Sequence, residues 1–94
     1  MHQLRIYTIE PGRMDEFVAV FAEVARLRRD AGFEVIGPWI VADADQFVWI
    51  AGYDGPDDWD IAGRRYYESP ERAALEPDPG SFIVSSDVRM MRSP

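Results

Sequence analysis

The 94-residue chain has no cysteine, no lysine and no asparagine, and its one histidine is His2. Each absence removes a chemistry. Without cysteine there is no disulfide, thiol nucleophile, redox pair or iron–sulfur cluster. Without lysine there is no Schiff base and no P-loop. A zinc site takes three or four His, Cys or carboxylate ligands, so one histidine is a poor start. No metal and no cofactor are expected. A Ser-His-Asp triad would depend on His2, at a chain end where fraying is common. The chemistry left to the chain rests on arginine, carboxylates, tyrosine, tryptophan and a few serines.

Basic charge is scarce too. Ten basic residues, all arginine, face 17 acidic ones, for a net charge of −7. GC-rich codon usage explains an arginine-only set without any functional selection. The acids gather between Asp54 and Asp60 and again between Glu68 and Asp78. A nucleic-acid partner calls for a basic patch, and an anionic membrane surface attracts polybasic segments, so neither partner is expected. No apolar run approaches the length of a membrane span, and no signal-peptide pattern opens the chain. The expected location is the cytoplasm.

What is present is a core. Apolar residues make up 47% of the chain and aromatics 13%, which fits one globular domain over residues 1–94. A domain this short buries only about 60–65% of its unfolded surface, and with no disulfide or metal staple a partner chain is the remaining aid.

Residues 2–9 alternate as a strand, and Pro11-Gly12 is a turn. A helix is predicted over Arg13 to Ala31, acidic at its start and arginine-rich at its end, which suits the helix dipole. Met14, Phe17, Val18, Phe21, Val24, Ala25 and Arg28 recur at three- and four-residue steps and form one stripe. Gly32 reads as a left-handed C-cap, with Phe33 placed for a Schellman contact. Phe33 to Ala42 and Gln46 to Tyr53 read as a hairpin about Asp43-Ala44-Asp45. Symmetry about Ala44 would pair Trp39 with Trp49 and Val41 with Phe47. Pro38 cannot donate a ladder bond, so its strand belongs at a sheet edge. A second helix is expected from Pro56 to Tyr67, a short turn after Ser69, and a last strand from Ser81 to Met91. The order βαββαβ is the ferredoxin-like α+β pattern, a four-stranded antiparallel sheet in spatial order 4-1-3-2.

The strands are apolar on both faces. A sheet with one wet face alternates apolar and polar residues, yet both sides of the hairpin and of the last strand carry large apolar side chains. Two helices cover one face. Burying a large apolar side chain gains roughly 1.5–3 kcal/mol, so the second face calls for a cover, and a second copy of the sheet is the simplest one. The expectation is a homodimer whose sheets pack or merge into a dimeric α/β barrel.

The chain resembles the NIPSNAP family of the dimeric α/β-barrel superfamily. The resemblance rests on Leu4-Arg5-Ile6-Tyr7-Thr8, Pro11-Gly12, Asp15-Glu16-Phe17, Gly32-Phe33, Phe47-Val48-Trp49, Tyr53-Asp54 and Tyr66-Tyr67-Glu68-Ser69-Pro70-Glu71. It spans residues 3 to 72, and the order and spacing of these short motifs carry it. The chain departs from the family pattern at Arg72, where an aromatic often stands, and at Arg13, where lysine is common. The resemblance implies the fold and dimerisation; it implies no shared catalytic motif. Relatives in the wider superfamily are cofactor-free monooxygenases, cyclases, isomerases and small-molecule binders.

Few residues can carry function. Arg5 and Tyr7 share a face of the first strand. Arg5 could hold a substrate carboxylate or enolate while Tyr7 handles a proton; the structural alternative is an ion pair of Arg5 with Asp87 or Glu34. Asp87 could serve as a general base if apolar burial raised its pKa, or could simply pair with Arg89. Trp39, Trp49 and Tyr53, with small Gly37 and Ala51 between them, could wall a pocket for a flat ligand, unless a helix residue such as Phe17 or Phe21 fills the gap. Tyr66 and Tyr67 could lid the same cavity or serve as core. The acidic run from Asp54 to Asp60 lacks the spacing of a calcium loop and suits a helix N-terminus. Two functions compete. One is a binder, or a cofactor-free proton-transfer or oxygenation enzyme, for a small, mainly apolar or aromatic metabolite held between sheet and helices. The other is a non-catalytic homodimeric interaction or accessory module.

Overall fold

A computed structural model describes residues 1–94. Strand β1 runs His2–Ile9, helix α1 Met14–Asp30, β2 Glu34–Val41, β3 Gln46–Gly52, α2 Trp59–Tyr67, α3 Pro70–Ala73 and β4 Ile83–Met91. The sheet order is β2-β3-β1-β4, every pairing antiparallel. This is the ferredoxin-like α+β fold read from its β2 edge. Pro38 sits in that edge strand, where its missing N–H breaks no ladder.

Helix α1 stops as its last residues dictate. Gly32 takes φ +92°. Its N–H donates to the Arg29 carbonyl, and the Phe33 N–H donates back to the Arg28 carbonyl at 2.9 Å. These are the two bonds of a Schellman motif. The buried face of α1 carries Phe17, Phe21, Val24, Ala25, Leu27 and Arg28; Val18, expected in this stripe, is exposed. Phe17 and Phe21 pack on Phe47 with ring centroids 4.8 and 4.7 Å apart, and Phe21 lies 5.2 Å from Trp49. The core is thus a slab of aromatic rings between α1 and the centre of the sheet.

Helix α2 begins at Trp59 rather than Pro56, because Asp58 is still extended at ψ 150°. Ala62 and Tyr66 are its buried face. Helix α3 is capped by the Ser69 hydroxyl, which accepts from the Arg72 N–H. The last strand begins at Ile83, later than expected, because Pro79–Phe82 forms a 3-10 turn.

The hairpin register departs from the symmetric expectation. Val35 pairs with Ala51 and Ile36 with Ile50, but Trp39 pairs with Val48 and Val41 with Gln46. A bulge at Gly37-Pro38 shifts the register by one residue, and Gly37 takes φ +104° within it. A one-residue shift exchanges faces. Trp39 and Val41 therefore join Ile36, Val48 and Ile50 on the face away from the helices, and Ile40 crosses to the helix side. The expected pairings of Trp39 with Trp49 and of Val41 with Phe47 do not occur.

Candidate ligand pocket

Alternation along β1 and β3 sends Arg5 and Tyr7, Phe47, Trp49 and Ala51 toward the helices. Where α1, α2 and the segment before β4 meet this face, they leave a cavity of about 220 Å³. It lies between sheet and helices. Its walls include Tyr7, Phe17, Val24 and Trp49, and three arginines reach it: Arg5 from β1, Arg28 from α1 and Arg72 from α3. No aspartate, glutamate or histidine lines it.

The polar end is one connected network. Arg5 Nε donates to Tyr7 Oη at 2.8 Å, and Trp49 Nε1 donates to the same oxygen at 3.1 Å. Arg5 also donates to Gln3 Oε1 at 2.6 Å and to Tyr67 Oη at 3.0 Å. Arg28 Nη2 donates to Tyr67 Oη, again at 3.0 Å. Arg5 thus meets no carboxylate, and the alternative of an ion pair with Asp87 or Glu34 is not realised. Glu34 instead faces His2, 3.5 Å away.

Arg28 is 3% exposed and has no carboxylate partner. Aromatic rings surround it: its guanidinium carbon lies 4.1 Å from the Tyr66 ring centre and 4.8 Å from that of Phe33. Its Nε has no hydrogen-bond partner; nor do Tyr66 Oη and Arg72 Nε. All three of these buried atoms belong to residues of this one cavity.

Charge within the network is unbalanced. Arg5 and Arg28 donate to the same oxygen, so their donor nitrogens lie at most about 6 Å apart. Two unit charges at that distance repel by on the order of 2–3 kcal/mol at an effective dielectric of about 20. Burial lowers the pKa of Arg28, and the nearby Arg5 charge lowers it further, against the opposing pull of Tyr67. Burial also works against Arg5, but Tyr7 and Tyr67 outweigh it and its pKa is raised. Arginine stays protonated in either case. Burial pushes the Tyr66 hydroxyl up, and Arg28 and Arg72 restrain it.

Of the residues singled out in the sequence, the structure brings Arg5, Tyr7, Trp49 and Tyr66 into this cavity, with Tyr67 beside them. It does not bring Asp87, Trp39 or Tyr53. Asp87 pairs with Ile6 in register and so lies on the opposite sheet face from Arg5 and Tyr7. Its carboxylate accepts from Arg89 Nε at 3.1 Å, the ion-pair alternative. Trp39 pairs with Val48 on that face and is 52% exposed. Tyr53 stacks near Phe33, 5.0 Å between ring centres, beyond the end of β3. Arg28 and Arg72 are the additions. The signal for Arg28 was its place in the apolar stripe of α1, where an arginine must be buried along with its neighbours.

No group of three or more His, Asp or Glu side chains is arranged to hold a metal ion. No helix is long and apolar enough to cross a membrane.

Comparison with known proteins places this architecture. No curated protein matches the sequence. Among solved structures, a NIPSNAP family protein from Agrobacterium tumefaciens superposes with a TM-score of 0.83 at 23% identity, covering 98% of this chain and 91% of that one. An uncharacterized NIPSNAP domain protein from Burkholderia xenovorans gives 0.81 at 17% identity, covering 98% and 93%. An antibiotic biosynthesis monooxygenase gives 0.69 at 15% identity, covering 99% and 97%. These likenesses concern the fold. The NIPSNAP family profile matches residues 2–93, nearly the whole sequence. The chain belongs to the NIPSNAP family.

Proposed function

We propose that this domain binds a small, mainly apolar or aromatic metabolite in the cavity between sheet and helices. The observation that carries the reading is the Tyr7 hydroxyl. Its oxygen already accepts from Arg5 and from Trp49, so its own hydrogen is free to be donated to a bound molecule. The cavity of about 220 Å³ is smaller than the roughly 300–1,000 Å³ of drug-sized sites. A single ring with a short substituent suits it.

Any reaction here belongs to the cofactor-free class. Arg5 and Tyr7 together can stabilise negative charge on a substrate oxygen, which is what an enolate requires in proton transfer or oxygenation. An antibiotic biosynthesis monooxygenase is among the structural neighbours; that is analogy at the level of fold. A second copy of the chain completes the proposal. Leu4, Ile6, Ile36, Trp39, Val41, Val48 and Ile50 share the sheet face that the helices leave bare, and a like sheet would bury them.

Titration with phenol, followed through the indole N–H signals of the three tryptophans, tests the pocket. A ligand seated there moves the Trp49 signal and leaves Trp39 in place. Movement of Trp39 alone would remove the assignment.

A further inference from the structure

The cavity is built of donors. Tyr67 Oη accepts from both Arg5 and Arg28, and Tyr7 Oη from both Arg5 and Trp49. With both oxygens occupied as acceptors, each hydroxyl presents only its hydrogen to the interior. The arginines can only donate. Arg28 Nε and Arg72 Nε are buried and unpaired, a costly state in a folded protein. The chain carries 17 acidic residues, yet none lines this cavity. The one acid beside it is Asp78, largely exposed, 3.6 Å from Arg72 Nη1. Buried Arg28 and half-buried Arg5 thus converge with no carboxylate between them.

Aromatic rings flank both guanidiniums. Guanidinium faces are covered by rings, Tyr66 and Phe33 for Arg28, and Tyr7 and Trp49 lie 5.7 Å from the Arg5 carbon. The edge of a guanidinium grips a carboxylate; the Arg28 edge has an unpaired Nε–H, whereas each Arg5 nitrogen already makes one hydrogen bond and its Nη groups keep one further N–H each. Apolar Phe17 and Val24 close the remaining wall.

We propose that the pocket takes a small single-ring carboxylic acid in its ionised form, with the carboxylate displacing the Tyr67 hydroxyl from its place between Arg5 and Arg28 and the ring against Phe17 and Val24. The proposal rests on the pocket reading above and goes beyond it in three respects: the ligand arrives as an anion, Arg28 is a binding residue, and no lining side chain is a carboxylate or imidazole base. The acid group is the anchor.

Sodium benzoate, neutral benzamide and sodium sulfate are titrated into the full chain, with calorimetry for affinity and the Trp49 indole and arginine Nε–H signals for position. Benzoate is expected to bind at least about tenfold more tightly than benzamide or sulfate and to move the Arg28 Nε–H signal. Arg28→Met is expected to lower benzoate affinity at least about tenfold and benzamide affinity by clearly less, a charge-selective loss that a purely structural role for Arg28 would not produce. The wild-type comparison of benzoate with benzamide needs no variant and stands if Arg28→Met fails to fold. Equal affinity for benzoate and benzamide, both moving Trp49, would overturn the anion proposal and leave the pocket reading intact. Sulfate binding as tightly as benzoate would overturn the ring acid. If benzoate, benzamide and phenol all leave Trp49 unmoved, the pocket reading falls, and this proposal falls with it.

Discussion

Arg28 Nη2 donates to Tyr67 Oη at 3.0 Å, and that oxygen also receives Arg5. One neutral hydroxyl thus stands between two guanidiniums. Tyr67→Phe removes the shared acceptor and leaves the repulsion. Tyr67 is half exposed, so water replaces part of the loss, and the expected cost is about 1 kcal/mol. Chemical denaturation of the two proteins side by side checks it, and an unchanged midpoint would mean that the bridge carries no stability.

Arg28→Met has the opposite character. The substitution relieves a desolvated charge and its repulsion from Arg5, and it forfeits the stacking on Tyr66 and Phe33. These terms offset, and stability without ligand should change by less than about 1 kcal/mol. An arginine in a buried ion pair would instead cost roughly 3–5 kcal/mol when its side chain is removed. A loss of that size in the ligand-free protein would identify Arg28 as a structural residue.

Tyr66 gives a pH signature. Burial raises its folded pKa above the unfolded value near 10. The neutral hydroxyl therefore contributes stability in full below about pH 10, and that contribution is lost as pH rises through the folded value. Tyr66→Phe cannot ionise. Its melting temperature should fall less than that of the wild type between about pH 9.5 and 11. Because the Tyr66 hydroxyl is buried and unpaired, the variant should be no less stable at neutral pH. Parallel alkaline melting curves would contradict the assignment.

The bare sheet face makes a further prediction. Trp39 is half exposed at the β2 edge, among other apolar side chains of that face. Trp39→Glu places a charge where a second sheet would pack. Sedimentation equilibrium should show the wild type at twice the 10.8 kDa chain mass and the variant at the chain mass. A wild type at the chain mass would dispose of the homodimer.

Much of the fold was legible because its signals are local. Alternation bounded β1 at His2–Ile9, Gly32-Phe33 marked the end of α1, and Pro38 assigned β2 to an edge. The register of the hairpin was not legible. The bulge at Gly37-Pro38 depends on how two strands meet, and the alternation of apolar residues continues on both sides of it. The turn, centred between Asp43 and Ala44 rather than on Ala44, sets Trp39 opposite Val48 instead of Trp49 and dissolves the aromatic wall expected there. Arg5 and Tyr7 were visible as a same-face pair on a central strand. Arg28 falls in the apolar stripe of α1, but a helix C-terminus also favours arginine for its charge, so the stripe alone did not mark it as part of the cavity. The packing of α1 on the sheet buries it, while Arg26, outside the stripe, meets Glu23 and Asp30 at the surface.

The Gly32 cap has a reach beyond ending a helix. Its hydrogen bonds fix the turn that seats the Phe33 ring 4.8 Å from the Arg28 guanidinium carbon. If Arg28 anchors a ligand as proposed, helix termination and that anchoring share one piece of backbone. A side chain at position 32 would strain φ +92° and tilt the ring beneath the arginine, changing affinity from outside the pocket.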